Sequence, residues 1–147
     1  VKNPESTKFV YRDRLWSGAD MIALGVASFG HLGGIHYQNL THFDQYCEAM
    51  ENSTPVIRRA LMTTEEERFI REFILQWKLG KVNREYFEKK FEVDLEERYG
   101  KLFQSWKEMG DLIEDGDEYR LSRDALLRVD SKLHDLFLPQ HQDSRYV

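Results

Sequence analysis

The chain has 147 residues, with 21 Lys and Arg against 26 Asp and Glu, giving a net charge of −5. Its 41% hydrophobic and 13% aromatic residues suffice for one packed domain and a smaller piece, while 32% charged residues and the lack of a long apolar run exclude a membrane-spanning helix. The acidic balance argues against charge-driven binding to nucleic acid or membrane, and Cys47, the single cysteine, closes no internal disulfide; with no charged-then-apolar leader, a soluble cytoplasmic protein is expected.

The opening stretch from Val1 to Thr7 has no periodicity and no initiator Met, so the chain is expected to begin partway through a longer polypeptide. Lys8–Tyr11 and Met21–Ser28 are short, apolar and loop-bounded. Both are predicted as strands, the second buried on two faces as in a parallel α/β sheet. Two strands do not close a sheet, so their barrel partners are expected elsewhere, and the exposed edges favour disorder or an edge-paired dimer. The glycine-rich run Gly25–Gly34 follows the second strand, where ligand-binding loops gather, but its spacing fits neither a P-loop nor Gly-x-Gly-x-x-Gly. Thr41 is predicted to cap a short helix to Met50, which Asn52-Ser-Thr-Pro55 breaks.

From Thr64 the period is helical. Thr64 and Glu67 form a capping box ahead of Phe69, Ile70, Phe73, Ile74 and Trp77, all on one helix face, and Gly80 ends that helix. Arg84–Phe91 reads as a second helix. Asp94 and Glu97 repeat the cap before a third, with Leu95, Tyr99, Leu102, Phe103 and Trp106 apolar, running to about Met109. Leu112–Leu121 reads as a hairpin about Asp115-Gly116. Ser122 caps a last helix with Leu126, Val129, Leu133, Leu136 and Phe137 inward, and Pro139 stops it. Three helices and a hairpin suggest a winged helix. As a DNA reader it would present Asp94, Glu96, Glu97 and Glu108 on its third helix and Glu114, Asp115, Asp117 and Glu118 on its wing, and phosphates would repel both.

Few residues suggest self-contained chemistry. His31, His36, His42 and Cys47 are spaced by five, six and five residues, and nothing in that spacing brings them to one tetrahedral site, so no metal site is assigned. Ser28 lacks the Gly-x-Ser-x-Gly elbow of a nucleophile. Glu48 and Glu51 near Cys47 disfavour its thiolate, which marks it as inert.

Gly25-Val-Ala-Ser-Phe-Gly30, then His36-Tyr37-Gln38-Asn39, a short helix, a Pro-marked linker, a capped helix, a helix pair, Gly110-Asp-Leu-Ile-Glu and Tyr119-Arg-Leu-Ser resemble, in order and spacing, the C-terminal third of the coproporphyrinogen III oxidase-like radical SAM proteins. The resemblance covers nearly the whole chain. It implies an α+β, mainly helical fold. Residues 1–50 would be strands and a loop of a truncated radical SAM barrel and 51–64 a linker. Residues 65–138 would form a winged-helix-like cap of three to four helices plus a small β-hairpin, and 139–147 a flexible tail.

The resemblance also implies an enzyme whose full-length form uses S-adenosylmethionine and a [4Fe-4S] cluster to generate a 5′-deoxyadenosyl radical. That radical takes a hydrogen from a propionate of coproporphyrinogen III, and decarboxylation leaves a vinyl group. Phe29 matches the apolar strand-end position beside S-adenosylmethionine, with Gly25, Ala27 and Ser28 as backbone neighbours. Gln38 and Asn39 match the Gln-Asn element at the barrel mouth, on the substrate side. The family's Cys-x-x-x-Cys-x-x-Cys motif is absent, and one cysteine cannot supply three thiolates. The chain alone is therefore expected to be inactive and to work with the N-terminal barrel of the same polypeptide. Ala125 stands where the family usually has glycine, and Ser28 where alanine is common. Haem-chaperone and haem-degrading relatives share this skeleton, and a non-catalytic winged-helix interaction domain is the reading from another class. An upstream cysteine triad separates them.

Overall fold

In the computed structural model, which describes residues 9–138, the chain divides into two units, one up to Arg68 and the other from Phe69. The first holds helix α1 (Val10–Trp16), strands β1 (Phe29–Leu32) and β2 (Ile35–Asn39), helix α2 (Phe43–Glu51) and strand β3 (Ile57–Met62). The strands form an antiparallel sheet in the order β1-β2-β3. Gly33 and Gly34, with φ of +56° and +79°, make the turn between β1 and β2 in a conformation that side chains with a Cβ rarely adopt.

This unit departs from the sequence expectation in five ways. The Lys8–Tyr11 strand is replaced by α1, which begins at Val10, while Lys8 lies outside the described residues. The Met21–Ser28 strand is instead an irregular segment, apart from Met21, which bridges His31. Its backbone turns through left-handed values at Gly25 (φ +94°) and Ala27 (φ +58°), which a strand cannot contain. The glycine-rich run is thus itself mostly strand and hairpin. The segment 51–64, expected as a linker, supplies β3, an exposed strand with no two-residue apolar alternation to announce it. All strand pairing among the described residues is antiparallel, so the parallel pairing expected here is not found. Thr41 does not cap α2. That helix starts after His42, and the Thr41 hydroxyl accepts instead from Arg58 Nη1 at 3.0 Å.

The predicted capping box opens helix α3 (Glu65–Lys78): Glu67 N–H donates to Thr64 Oγ1 at 3.1 Å and Thr64 N–H to Glu67 Oε2 at 2.9 Å. The second unit continues with β4 (Lys81–Asn83), α4 (Arg84–Phe91), α5 (Leu95–Glu108), β5 (Leu112–Asp115), β6 (Glu118–Leu121), α6 (Arg123–Leu127), α7 (Val129–Leu133) and a 3-10 turn (His134–Leu136). Asn83 caps α4 through Tyr86 N–H at 2.8 Å, and Asp94 caps α5 through the amides of Glu96 and Glu97. The hairpin β5–β6 turns at Gly116 (φ +58°), and β4 adds to it in the order β4-β6-β5. Three residues directly after a helix-ending glycine gave β4 no signal of its own.

The core of this unit is aromatic. Trp77 meets Trp106 edge-on at 5.5 Å and Phe73 meets Phe87 at 5.4 Å, with Phe69, Phe103 and Tyr119 also fully enclosed. Such offset and edge-to-face pairs add specificity to burial. Two buried carboxylates tie helices across it: Glu72 accepts from Lys90 Nζ at 2.9 Å and from the Tyr86 hydroxyl at 2.5 Å, and Asp111 accepts from Lys132 at 2.5 Å and Arg128 at 3.1 Å. Beyond Ser122, the single predicted helix is broken at Arg128, and Ala125, Leu133 and Leu136 are buried while Leu126 stays 38% exposed. Pro139 and the tail expected over 139–147 lie outside the described residues. Among those described, no helix is long and apolar enough to cross a membrane.

Trp106→Ala is expected to destabilise the protein by about 3–5 kcal/mol, and Leu102→Ala, which removes a half-buried side chain at the margin of the core, by about 2 kcal/mol, both read from urea unfolding. Burial first, and then the bond to the Glu96 carboxylate, push the Tyr119 phenol from 10.0 up to about 12. The folded protein holds this proton more tightly than the unfolded chain, so the associated stability is complete below pH 10 and is lost as the pH rises towards 12. Tyr119→Phe should flatten that alkaline limb of the stability profile.

Candidate functional site

The residues singled out in the glycine-rich region converge in the first unit. β1 and β2 pair with Phe29 opposite Gln38 and Gly30 opposite Tyr37, and the segment before β1 folds back on the end of β2. Ala27 N–H donates to Leu40 O at 2.8 Å, and Asn39 N–H to Ser28 O at 3.0 Å. Two side-chain amides complete the attachment. Asn39, 1% exposed, donates from Nδ2 to Gly25 O at 3.0 Å and to Ala23 O at 3.4 Å. Gln38 donates from Nε2 to Ala27 O at 3.2 Å.

The six candidate residues therefore form one interlocked unit, in which Gln38 and Asn39 position the backbone of Gly25 and Ala27. Their amides are engaged by loop carbonyls. Ser28 Oγ donates to Leu24 O at 2.7 Å, which completes the local turn. Phe29 is the outward-facing member, 45% exposed, with its ring stacked on His36 at 5.7 Å and an interplanar angle of 15°.

Three further residues shape the site. The Tyr37 hydroxyl accepts from Ala23 N–H at 3.0 Å while its ring lies over Gly30, where a methyl group would come within 2.2 Å of the ring. The Tyr46 hydroxyl accepts from Gly25 N–H at 3.2 Å, and Arg59 on β3 donates from Nε to Gln38 Oε1 at 2.9 Å. Tyr37 sits inside the sequence element that drew attention to Gln38 and Asn39, but Tyr46 and Arg59 reach the loop through tertiary contacts that linear spacing does not reveal.

The donor set sets limits on what the unit can hold. His31 and His36 approach each other at 6.1 Å, but among the described residues no three His, Cys, Asp or Glu side chains gather as a metal site. Cys47 is the chain's single cysteine, so these residues do not fit an iron–sulfur cluster that needs three thiolates. What the unit offers outward is an exposed phenyl ring beside a fixed backbone turn.

No family model matches the chain. The fold belongs to a class seen in a solved structure: 89% of the chain matches 34% of the coproporphyrinogen III oxidase of Escherichia coli, described as a radical SAM enzyme, with a TM-score of 0.68. At 14% identity this is a likeness of fold. In sequence, the chain is 29% identical over 113 residues to the oxygen-independent coproporphyrinogen III oxidase of Pseudomonas aeruginosa, a match covering 77% of this chain and 22% of that protein. The resemblance read from the residues is thus present in sequence and in fold. The chain spans about a fifth of the sequence relative and a third of the solved one.

Asn39→Ala should leave the Gly25 and Ala23 carbonyls without their buried donor and lower stability by about 1–3 kcal/mol. Hydrogen exchange should show the amide of Ala27 losing protection first. Unchanged protection there would mean that Asn39 does not hold the loop.

Proposed function

We propose that this chain is the C-terminal portion of a radical SAM enzyme of the oxygen-independent coproporphyrinogen III oxidase type, acting in the cytoplasm in porphyrin and haem biosynthesis. The first unit borders the radical SAM barrel of the same polypeptide, and the second is a winged-helix-like cap. The observation that carries this reading is the likeness to coproporphyrinogen III oxidases in both sequence and fold, and the interlocking of Gly25, Ala27, Ser28, Phe29, Gln38 and Asn39 supports a single site there. The cap reading is supported by the order α3-β4-α4-α5-β5-β6 and a sheet in which the hairpin is joined by the strand after the first helix.

In this reading S-adenosylmethionine and the cluster supply the hydrogen-abstracting radical, with the cluster held by cysteines outside this chain. These residues position and shield. Asn39 and Gln38 fix the Gly25–Ser28 turn, Tyr46 holds the amide of Gly25 and Tyr37 that of Ala23 just before it, and the exposed Phe29 ring provides an apolar wall that keeps water from the reacting groups. The substrate is a porphyrinogen, and the fragment alone is inactive.

The test is anaerobic. The full-length protein carrying these residues, reconstituted with iron and sulfide, is incubated with reductant, S-adenosylmethionine and coproporphyrinogen III. 5′-Deoxyadenosine and decarboxylated porphyrin should appear together. The nucleoside without porphyrin change would assign another substrate, and haem binding without either product would assign a chaperone role. Phe29→Ala should lower kcat/KM by about tenfold or more while leaving the melting temperature nearly unchanged, since its ring is largely outside the core.

A further inference from the structure

The sheet of the first unit carries no acid. Residues 29–42 and 57–64 contain neither Asp nor Glu but hold His31, His36, His42, Arg58 and Arg59, in a chain with 26 acidic residues. The register places Phe29, Gln38 and Arg59 in one cross-strand row and His31, His36 and Leu61 in the next. Paired residues share a face, and side chains two apart on a strand share it too, so the two rows form one surface. The contacts agree. Phe29 stacks on His36, His36 meets His31, and Arg59 Nε reaches Gln38 Oε1.

Arg59 is exposed and is held through Nε by a neutral amide, which fixes the plane of its guanidinium. Its terminal nitrogens meet no carboxylate among the described residues, which leaves a pre-oriented two-pronged donor. Beside it stand a ring platform and two exposed apolar side chains, Phe29 at 45% and Leu61 at 52%. A single oriented fork next to a flat apolar surface suits one carboxylate tethered to a ring.

We propose that this face recognises a carboxylate tethered to a flat aromatic ring, with Arg59 anchoring the carboxylate and the Phe29–His36 pair supporting the ring. The proposal rests on the functional reading above for its two natural sources of that chemistry, S-adenosylmethionine and a porphyrinogen, each of which joins a carboxylate to a ring. Arg59 then acts as a specificity-determining residue.

Binding to the 147-residue chain is measured by fluorescence or calorimetry with three probes: pyrenebutyrate, coproporphyrin III and S-adenosylhomocysteine. Pyrenebutyrate should bind, and its methyl ester should bind about tenfold more weakly. Arg59→Gln should lose a similar factor for every probe that binds. Arg58→Gln removes the same charge from the opposite face of β3 and should change nothing. Whichever of coproporphyrin III and S-adenosylhomocysteine shows the Arg59 dependence is the source. The surface is overturned if no ring carboxylate binds, if acid and ester bind alike, or if a folded Arg59→Gln variant binds as wild type. If pyrenebutyrate binds through Arg59 and neither of the other two does, the surface stands and the porphyrinogen reading falls.

Discussion

The buried amide of Asn39 is the contact on which the first unit depends. A segment with two left-handed residues and no regular pairing has backbone carbonyls that neither helix nor sheet satisfies, and a buried carbonyl left unpaired is costly. Asn39 resolves this with one side chain, donating to two carbonyls of the loop from the end of a strand that is itself fixed by register. The β-bulge between Gln38 and Asn39 is where this happens. There an irregularity in the ladder re-aims successive side chains, so that both amides reach the same loop. Replacing hydrophobic burial by directed bonds suits a site, because it fixes backbone direction while leaving the Phe29 ring open.

The second unit solves a different problem with different means. Its sheet is small, and its interior is filled by large rings from three helices and a strand, which specify one packing through their mutual angles. Glu72 and Asp111 are buried acids, each met by cations and, for Glu72, by a phenol. Pairs of this kind add little net stability but make wrong registers expensive, since any shift strands a charge. The chain beyond Ser122 breaks at Arg128, and Arg128 and Lys132 both reach the Asp111 carboxylate.

What was legible in the sequence follows from how local each signal is. Helix α4 is legible in the sequence as Arg84–Phe91, and so is the hairpin about Gly116, because caps, periodicity and turn glycines act within a few residues. The Thr64–Glu67 box is of the same kind. The first unit was harder. Met21–Ser28 is apolar enough to be a strand, yet its conformation is set by Asn39, Gln38 and Tyr37 more than ten residues away. The choice of candidate residues does not depend on that strand, since resemblance marks Gly25, Ala27, Ser28, Phe29, Gln38 and Asn39 whatever their secondary structure. Arg59 was out of reach, because its place beside Gln38 requires β3, and Ile57-Arg-Arg-Ala-Leu-Met has the pattern of neither strand nor helix.

The free side of β3 carries a consequence for solubility. Among the described residues this strand pairs only with β2, and all six of its residues are exposed, which is the geometry through which sheets add copies of themselves. Arg58 and Arg59 sit side by side in its middle. A second chain laid antiparallel along that edge would bring four guanidinium groups together on a surface with no acid to offset them. The same charges that suit the sheet to a small anion thus discourage it from polymerising.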